Sequence, residues 1–399
     1  MKGVCMGGKS TWFGLGRERF SISAYFAVLG FICAAWVSSI PDLKAMLGLD
    51  DAQLGRLLLS GPVGTAISYA FVGFLVTRLG SRLTTIIGAC GYLSAAATLA
   101  VGFAVRAPWH FWSLTLAVLG ASGNLLNTSA NTQGGIAEMR AGRSIMSGFH
   151  AIWSVSNLSG MLFALVASYF SLPVYLRLGS LVAAAVVCLL LGLGGLIPSD
   201  VREGEKEKAG WRWPDRTLLG LGLMAMVFMG CEGSIYDWAG VFYKDVLAAP
   251  PQRVLWGSCA VMGAMTVGRF LTDRFVNRYT ATRVVHAYSL FVFFGLAVAL
   301  SSPYTTLAGL PLHIVATVGY GVAGFGISGL VPIVYALTAR TKAMAPGAAV
   351  TVVSSLGFLG FFFAPPLIGS VSKAFGLSAA LGIFAFLILL GLFMRPDRD

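Results

Sequence analysis

Long apolar runs, each followed by a short cluster of charged residues, glycine or proline, repeat along the whole chain. A run of about 20 apolar residues is the length that an α-helix needs to cross the hydrocarbon core of a bilayer. The pattern therefore predicts an all-α integral membrane protein. Twelve transmembrane helices are predicted, at residues 20–40, 52–78, 83–105, 109–137, 144–168, 173–196, 216–243, 252–275, 281–301, 306–338, 345–371 and 375–394.

The amino-acid composition agrees with this pattern. Of 399 residues, 57% are hydrophobic and only 11% are charged, whereas soluble domains carry roughly a quarter of charged residues. Twelve spans of about 20 residues use roughly 240 positions, which leaves short connections and no room for a large soluble domain. Disordered proteins, disulfide-rich secreted domains and most water-soluble enzymes are therefore excluded.

The net charge of +12 is spread over the connections between apolar runs. We therefore expect no nucleic-acid partner. When the N-terminus is placed in the cytoplasm, most of the 28 Lys and Arg residues fall on the cytoplasmic side. An excess of basic residues is typical of cytoplasmic loops, so we expect an even number of spans and both termini in the cytoplasm. The first apolar run is interpreted as a retained span rather than a signal peptide.

The chain is predicted to consist of two similar halves. Its longest polar stretch, PSDVREGEKEKAGWRWP, covers residues 198–214 near the midpoint. GFLVTRLGSR ends the second span at 73–82, and DRFVNRYTAT ends the eighth at 273–282. Duplicated halves are typical of transporters whose binding site lies between the repeats. The predicted domains are an N-terminal six-helix bundle (1–197), a cytoplasmic linker (198–215) and a C-terminal six-helix bundle (216–399).

The loop 73–82 carries the most distinctive motif. It resembles the G-x-x-x-D-R-x-G-R loop of the major facilitator superfamily, with Thr77 in place of the aspartate. The loop 273–282 has Asn277 at the matching position. The resemblance implies that these loops latch the cytoplasmic side, although both carboxylates of that latch are missing. The gating or structural candidates in the two loops are Arg78, Arg82, Asp273 and Arg278.

Within the superfamily, the chain resembles the YbjJ-type bacterial inner-membrane branch and, more distantly, fucose-permease-like carriers. The segments that support this are EGSIYDW (232–238), TVGRF (266–270), HAIWS (150–154), GFLGF (357–361) and PPLIG (365–369). The resemblance implies two pseudo-symmetric bundles of six helices, which expose a shared site alternately to the two sides of a cell inner membrane. Ser39 and Asn127 stand where relatives carry an arginine and a glutamate.

Two ionisable side chains inside the predicted spans are candidates for proton coupling, because charge is costly in lipid. Glu232 lies deep in the seventh span with neither Lys nor Arg within one helical turn. Desolvation without a counter-charge favours the protonated carboxyl, which would let Glu232 load and release a proton. A structural carboxyl is the alternative. His150 in the fifth span is a second candidate, and a hydrogen-bonded structural histidine is equally compatible with its position.

Arg269 and Asp237 are interpreted as gating or structural residues. Counted by helix rise, Arg269 lies about 15 Å closer to the cytoplasmic end of its span than Glu232 does. We therefore expect Arg269 to pair with Asp273, four residues further on. Anion binding is the alternative for Arg269. Asp237 lies beside Trp238 near the predicted outer mouth, where a hydrated carboxylate next to an interfacial aromatic residue is favoured over a gate.

Amide and hydroxyl groups form a polar face on the fourth span, at Asn124, Asn127, Thr128 and Asn131. In a bilayer such a face must meet other helices or water. Amides both donate and accept hydrogen bonds, which suits a neutral hydroxylated or zwitterionic solute, while hydrogen bonding between helices is the alternative. Further candidates for the solute pocket, each also explained by packing, are Trp36, Trp153, Asn157, Tyr236 and Tyr320.

The sequence contains no catalytic triad, phosphate-binding glycine loop or cluster of metal ligands, and its six cysteines lie singly. We therefore expect no enzyme activity, cofactor or metal. The sequence predicts a monomeric secondary active transporter of a small polar organic solute, with sugar-like solutes as candidates and proton coupling through Glu232 as a hypothesis. The alternative is a proton-driven exporter of amphipathic compounds or drugs.

Overall fold

The computed structural model describes residues 12–142, 145–198, 214–304, 311–338, 341 and 346–393. Within these ranges the chain is helical and contains no β-strand, which confirms the all-α fold class. The predicted linker lies almost wholly outside the described residues. The helices are α1 (Trp12–Leu47), α2 (Asp51–Leu58), α3 (Ser60–Val105), α4 (Trp109–Ala141), α5 (Met146–Tyr169), α6 (Val174–Gly192), α7 (Arg216–Val241), α8 (Trp256–Tyr279), α9 (Ala281–Ser301), α10 (Leu312–Ile327), α11 (Leu330–Thr338), α12 (Pro346–Phe375) and α13 (Leu377–Leu387).

Nine stretches of the described chain are long and apolar enough to cross a bilayer. One of them, Asp51–Val105, holds α2 and α3 and covers 55 residues, which is about 80 Å of helix and more than twice the hydrocarbon thickness of about 30 Å. It breaks at Gly80, where φ is 80° and ψ is 157°, a conformation that glycine adopts at little cost. The multi-pass membrane character is confirmed, while the count of twelve spans stays a prediction.

Two buried hydrophobic cores hold the helices together. The first surrounds side chains such as Trp112 and is built mainly from α1, α3, α4 and α6. The second surrounds side chains such as Trp238 and is built mainly from α7 to α13. Trp36, Leu49 and Trp153 pack against both cores. The surface where α1 and α5 meet α7 and α8 is therefore the boundary between the cores, and its polar residues are the candidates for a functional site.

Charged contacts join the two sides of this boundary at one end. Lys44 near the end of α1 pairs with Asp51 at the start of α2 and with Asp245 just after α7. Lys373 in the last turn of α12 lies 3.0 Å from Asp50. The pairs of Lys44 with Asp245 and of Lys373 with Asp50 connect residues that precede α3 with residues that follow α7. We call residues 41–51, 244–245 and 372–373 the closed end.

Close backbone packing accompanies the charged contacts at the closed end. A Cβ atom added to Gly55 of α2 would meet the backbone carbonyl of Pro365 in α12. One added to Gly369 would meet the backbone carbonyl of Asp51. Since only hydrogen fits at these positions, α2 and α12 approach each other more closely than side chains would allow.

The opposite end of the boundary holds the loops 73–82 and 273–282. Arg78, Asp273 and Arg278 are exposed there. Within the described ranges, Arg78, Asp273 and Arg278 form no ion pair across the boundary. The ion pairs of Lys44 with Asp245 and of Lys373 with Asp50, which do cross it, lie at the closed end.

Candidate functional site

A guanidinium group lies where the two cores meet. Arg269 of α8 places Nη2 3.3 Å from Oε1 of Glu232 on α7, and its Nη1 donates to Oγ of Ser154 on α5 at 2.9 Å. The guanidinium carbon lies 5.1 Å from the centre of the Trp153 ring, which is a cation–π geometry. The side chains of Arg269 and Glu232 stay 28% and 20% exposed. We call these four residues the central cluster.

The pairing of Arg269 differs from the sequence-based prediction. Its partner is Glu232 and not Asp273, which is exposed, so that prediction is wrong. One reason is that α8 continues to Tyr279 rather than ending at residue 275, which places Arg269 about 6 Å deeper. A second reason is that side chains lean toward the N-terminus of their own helix. Because α7 and α8 run in opposite directions, Arg269 and Glu232 lean toward each other.

Glu232 consequently has a counter-charge. The expectation that it lacks one is wrong, because the pairing residue comes from the next helix rather than from its own. Its role as a proton carrier stays a prediction, but the isolation on which that prediction depended is absent.

A second polar contact crosses the boundary one helical turn from Ser154. Tyr236 on α7 donates its hydroxyl to Oδ1 of Asn157 on α5. Asn157 is fully buried, and its Nδ2 has no hydrogen-bond partner in the described part of the chain. Cys33 and Trp36 of α1 pack beside Tyr236. A buried amide N–H without a partner costs free energy, so Asn157 is a group that a bound polar molecule would satisfy.

The polar face of α4 divides into two parts. Asn124 is buried and donates to Oγ of Ser68 at 2.8 Å, which favours hydrogen bonding between helices for this residue. Asn127 is exposed, and Asn131 donates to its side-chain oxygen at 3.1 Å. Asn127 and Asn131 therefore stay candidates for the solute pocket, whereas Asn124 stabilises the packing of α4 on α3.

His150 lies one helical turn before Ser154 on α5 and close enough to Arg269 for an electrostatic interaction, whereas Tyr320 lies in the second core. His150 is exposed, and its ring meets the edge of Phe26 at 5.2 Å between ring centres. Tyr320 is fully buried in the second core, between the rings of Phe242 and Tyr243. This burial favours packing, the alternative that the sequence leaves open for Tyr320, and its place in a solute pocket stays a prediction.

The residues of the loop motif make local contacts. Arg78 lies over the ring of Phe74 at 5.3 Å, and Arg278 over that of Tyr279 at 5.5 Å. Arg82 is exposed. Thr77, which stands where the motif has aspartate, donates to the Gly73 carbonyl of its own helix at 3.0 Å. The described contacts of this loop therefore give Arg78 no partner on the other side of the boundary.

Asp237 lies deeper than the sequence suggests. Its neighbour Trp238 is fully buried in the second core, so the interpretation of Trp238 as an interfacial aromatic residue is wrong. The error comes from counting helix residues without knowing that a π-helical turn, Phe242–Val246, extends α7 toward the closed end. The carboxylate of Asp237 is half-buried and borders a small cavity beside α12.

Sequence reasoning missed two sets of residues. Ser154 receives a hydrogen bond from Arg269, and its position beside Trp153 in the segment HAIWS is the only signal for it. Lys44, Asp51 and Asp245 form the centre of the closed end, yet Lys44 and Asp245 are 201 residues apart. Within the described residues, no group of three or more His, Cys, Asp or Glu side chains is arranged to hold a metal ion.

Relatives of known sequence cover almost the whole chain. It is 29% identical over 379 residues to an uncharacterized MFS-type (major facilitator superfamily) transporter of Yersinia pestis, covering 93% of this chain and 93% of the relative. It is 28% identical over 391 residues to the membrane protein MosC of Rhizobium meliloti, covering 97% and 91%. No protein-family model matches the chain.

Solved structures show the same fold. The nucleoside transporter NupG superposes with a TM-score of 0.73 at 15% identity, covering 94% of this chain and 98% of that one. A D-xylose-proton symporter superposes with a TM-score of 0.73 at 16% identity, covering 94% and 96%. The YbjJ-type branch stays a prediction. Over almost its whole length the chain is therefore similar to transporters of the major facilitator superfamily, which are not enzymes, and it has their fold.

Proposed function

We propose that the chain is a secondary active transporter, which binds a small polar organic solute at the boundary between its two cores and exposes it alternately to each side of the membrane. The central cluster carries this proposal. Its side chains come from both sides of the boundary, and Arg269 and Glu232 keep part of their surface exposed. Charged groups at this depth in a membrane protein typically mark a substrate or ion path.

The chemistry of the boundary favours a polar solute. A carboxylate, a guanidinium, a hydroxyl and the unpaired amide of Asn157 offer both donors and acceptors. The rings of Trp36 and Trp153 add flat apolar faces at the same place. Because the similar folds include a nucleoside transporter and a xylose symporter, sugars and nucleosides are the classes to test first. An exporter of amphipathic compounds needs a wide apolar pocket, which this charged cluster does not favour.

The proposal includes a topology. Two bundles of six helices, residues 1–197 and 216–399, are joined by a cytoplasmic linker in a bacterial inner membrane, with both termini in the cytoplasm. The two separate cores support the division into bundles, and the distribution of Lys and Arg supports the orientation. With this orientation the closed end faces outward, and the central cluster communicates with the cytoplasm.

A binding screen tests the class of solute. The purified full chain is heated with sugars, nucleosides and amphipathic cations in turn, and its unfolding temperature is recorded. A solute at 100 times its Kd stabilises the folded protein by about 2.7 kcal/mol, so a true ligand raises that temperature measurably. Stabilisation by amphipathic cations alone would support the exporter and overturn the polar-solute proposal.

Uptake by reconstituted vesicles then tests the site. We expect Trp153→Ala and Arg269→Gln to reduce uptake of the identified solute tenfold or more, which corresponds to about 1.4 kcal/mol or more of lost interaction. Trp109→Ala is the matched control, because Trp109 packs only against the first core. If both site variants fold and transport at the wild-type rate, the solute does not bind at the central cluster.

A further inference from the structure

Asp237 is an acidic side chain inside a membrane-spanning helix with no counter-charge. No described residue forms a hydrogen bond or an ion pair with it, although Glu232 on the same helix pairs with Arg269. It borders a cavity of about 10 Å³ that is lined by Gly233, Ser234, Trp238, Phe361, Ala364 and Pro365. A cavity of this volume has room for about one water molecule.

The groups around this cavity suit a proton rather than a metal cation. Trp238 is fully buried, and its indole Nε1 has no hydrogen-bond partner among the described residues. Pro365 lacks an N–H, which leaves the carbonyl of Phe361 without its helical donor. The hydroxyl of Ser234 is already bonded to the Gly230 carbonyl at 2.5 Å. One carboxylate and one free carbonyl are too few oxygen ligands for the hard cations, which take six or more.

Among the described residues, the titratable groups close enough to interact with Asp237 are Cys33 of α1 and Tyr236 of α7. The residues that α12 presents to the cavity, Phe361, Ala364 and Pro365, carry no titratable group. An ionised carboxylate at such a site is costly, and a proton removes that cost.

The cavity adjoins the contact that shuts the closed end. The carbonyl of Pro365 faces Gly55 of α2 across the boundary, and Pro365 also lines the cavity beside Asp237. Separation of α2 from α12 would therefore uncover Pro365 and open the adjoining cavity to water from the side that the closed end faces.

We propose that Asp237, rather than Glu232, is the group that takes up a proton in the transport cycle, an inference that rests on the transporter function proposed above. The Asp237 carboxylate accepts a proton from water on the side of the closed end and holds it as a neutral acid while α2 covers α12. It returns the proton to water that enters from the central cluster. On uptake, an O–H bond of a hydronium ion breaks and one forms on the carboxyl; on release, the carboxyl O–H breaks and one forms on water, so the charge of the site alternates between −1 and zero.

Infrared difference spectroscopy on the reconstituted full chain tests this inference without a solute. Spectra recorded between about pH 5 and about pH 9 report the C=O stretching band of any carboxylic acid that gains or loses a proton. We expect the wild-type protein to show such a band, Asp237→Asn to lose it, and the matched control Glu232→Gln to keep it. Because Asp237→Asn could fold poorly, Asp237→Glu provides a second variant, in which the band should move instead of disappearing.

Three outcomes would overturn the inference. They are a band that survives in Asp237→Asn, a band that only Glu232→Gln removes, and a spectral change that follows sodium concentration and not pH. The result is separate from the transport proposal. If the chain takes up solute and the band is the same in Asp237→Asn as in the wild type, only the role of Asp237 is rejected. If the band is assigned to Asp237 and the protein binds no solute, the proposed transport function is rejected instead.

Discussion

The two ends of the boundary hold their helices by different means. At the closed end, Lys44 reaches from α1 to Asp245 after α7, and α2 meets α12 backbone to backbone. At the opposite end, Thr77 bonds to a carbonyl of its own helix, and Arg78 stacks on Phe74 of its own helix. The loop motif has kept the glycine that breaks α3 and has lost the carboxylate that would bind across. In such a motif, the glycine that shapes the backbone can therefore be present without the carboxylate that supplies the charge.

The contacts of the closed end can be ranked by how much each should contribute to holding that end shut. Packing of Gly55 against Pro365 is steric and tolerates no added atom. The pairs of Lys44 are partly buried, and that of Lys373 is largely exposed. Since exposed ion pairs contribute little, we expect the closed end to depend first on packing, then on Lys44, and least on Lys373.

Alkylation of Cys259, which lies against Met161 where α5 meets α8, gives a measure of how often the boundary opens.

Gly55→Ala should have the largest effect. The added methyl collides with the Pro365 carbonyl, and overpacking of this kind costs about 1–3 kcal/mol. We expect alkylation of Cys259 to accelerate roughly tenfold or more, and uptake to fall. Gly73→Ala is the matched control, because a Cβ there meets nothing within 4 Å and alanine favours the helix. If Gly55→Ala behaves like Gly73→Ala, the α2–α12 contact does not hold the closed end.

Lys44→Met should have the next largest effect. It removes the cation that two carboxylates share, and hydrogen bonds to charged groups contribute about 1.5–3 kcal/mol. We expect alkylation of Cys259 to increase about tenfold. Lys373→Met removes a pair whose lysine side chain is 63% exposed and should change the rate less than about threefold. Equal effects of the two variants would show that burial does not set the strength of these pairs.

The sequence predicts some parts of this molecule better than others, for physical reasons. Span positions follow from local hydrophobicity, and Trp36, Trp153, Asn157 and Tyr236 were predicted as candidates because they lie at mid-membrane depth in the predicted spans. The partner of Arg269 was not identified, because the relative depth of side chains on two helices depends on where each helix ends and which way its side chains lean. The choice between pocket and packing for Tyr320 could not be made from the sequence, because both faces of α10 are apolar and only packing shows which one is buried.

Thr77→Asp tests the opposite end of the comparison. It restores the carboxylate that the motif lacks, beside exposed Arg78. A new exposed pair contributes about 0.2–1 kcal/mol, so we expect closure of that end to increase at most about fivefold, with slower alkylation of a cysteine introduced at Phe74. Thr77→Asn, which has a similar size and no charge, is the control. An equal response to both substitutions would mean that the charge has no partner to bind.

The smallest effect concerns Asp50, whose carboxylate caps α2. It accepts hydrogen bonds from the backbone N–H of Gln53 at 2.7 Å and from Nζ of Lys373 at 3.0 Å. The hydrogen bond from the Gln53 N–H and, after it, the Lys373 ammonium lower the pKa of Asp50 below its ordinary value. A lowered pKa in the folded state means that the stabilisation is complete above the ordinary value of about 3.9 and is lost only as the pH falls through the lowered one.

The two causes can be separated by carbon-13 NMR titration of the Asp50 carboxyl, assigned by its absence in Asp50→Asn. Because the backbone bond is the larger cause, Lys373→Met should raise the titration midpoint only part of the way to its ordinary value, and added salt should do the same. Asp50→Asn keeps an acceptor for the Gln53 N–H and should remove the part of the acid sensitivity of α2 that comes from residue 50, while Asp51 keeps its own. A midpoint that returns fully to the ordinary value in Lys373→Met would assign the whole shift to the ion pair, and the closed end would then sense salt more than acid.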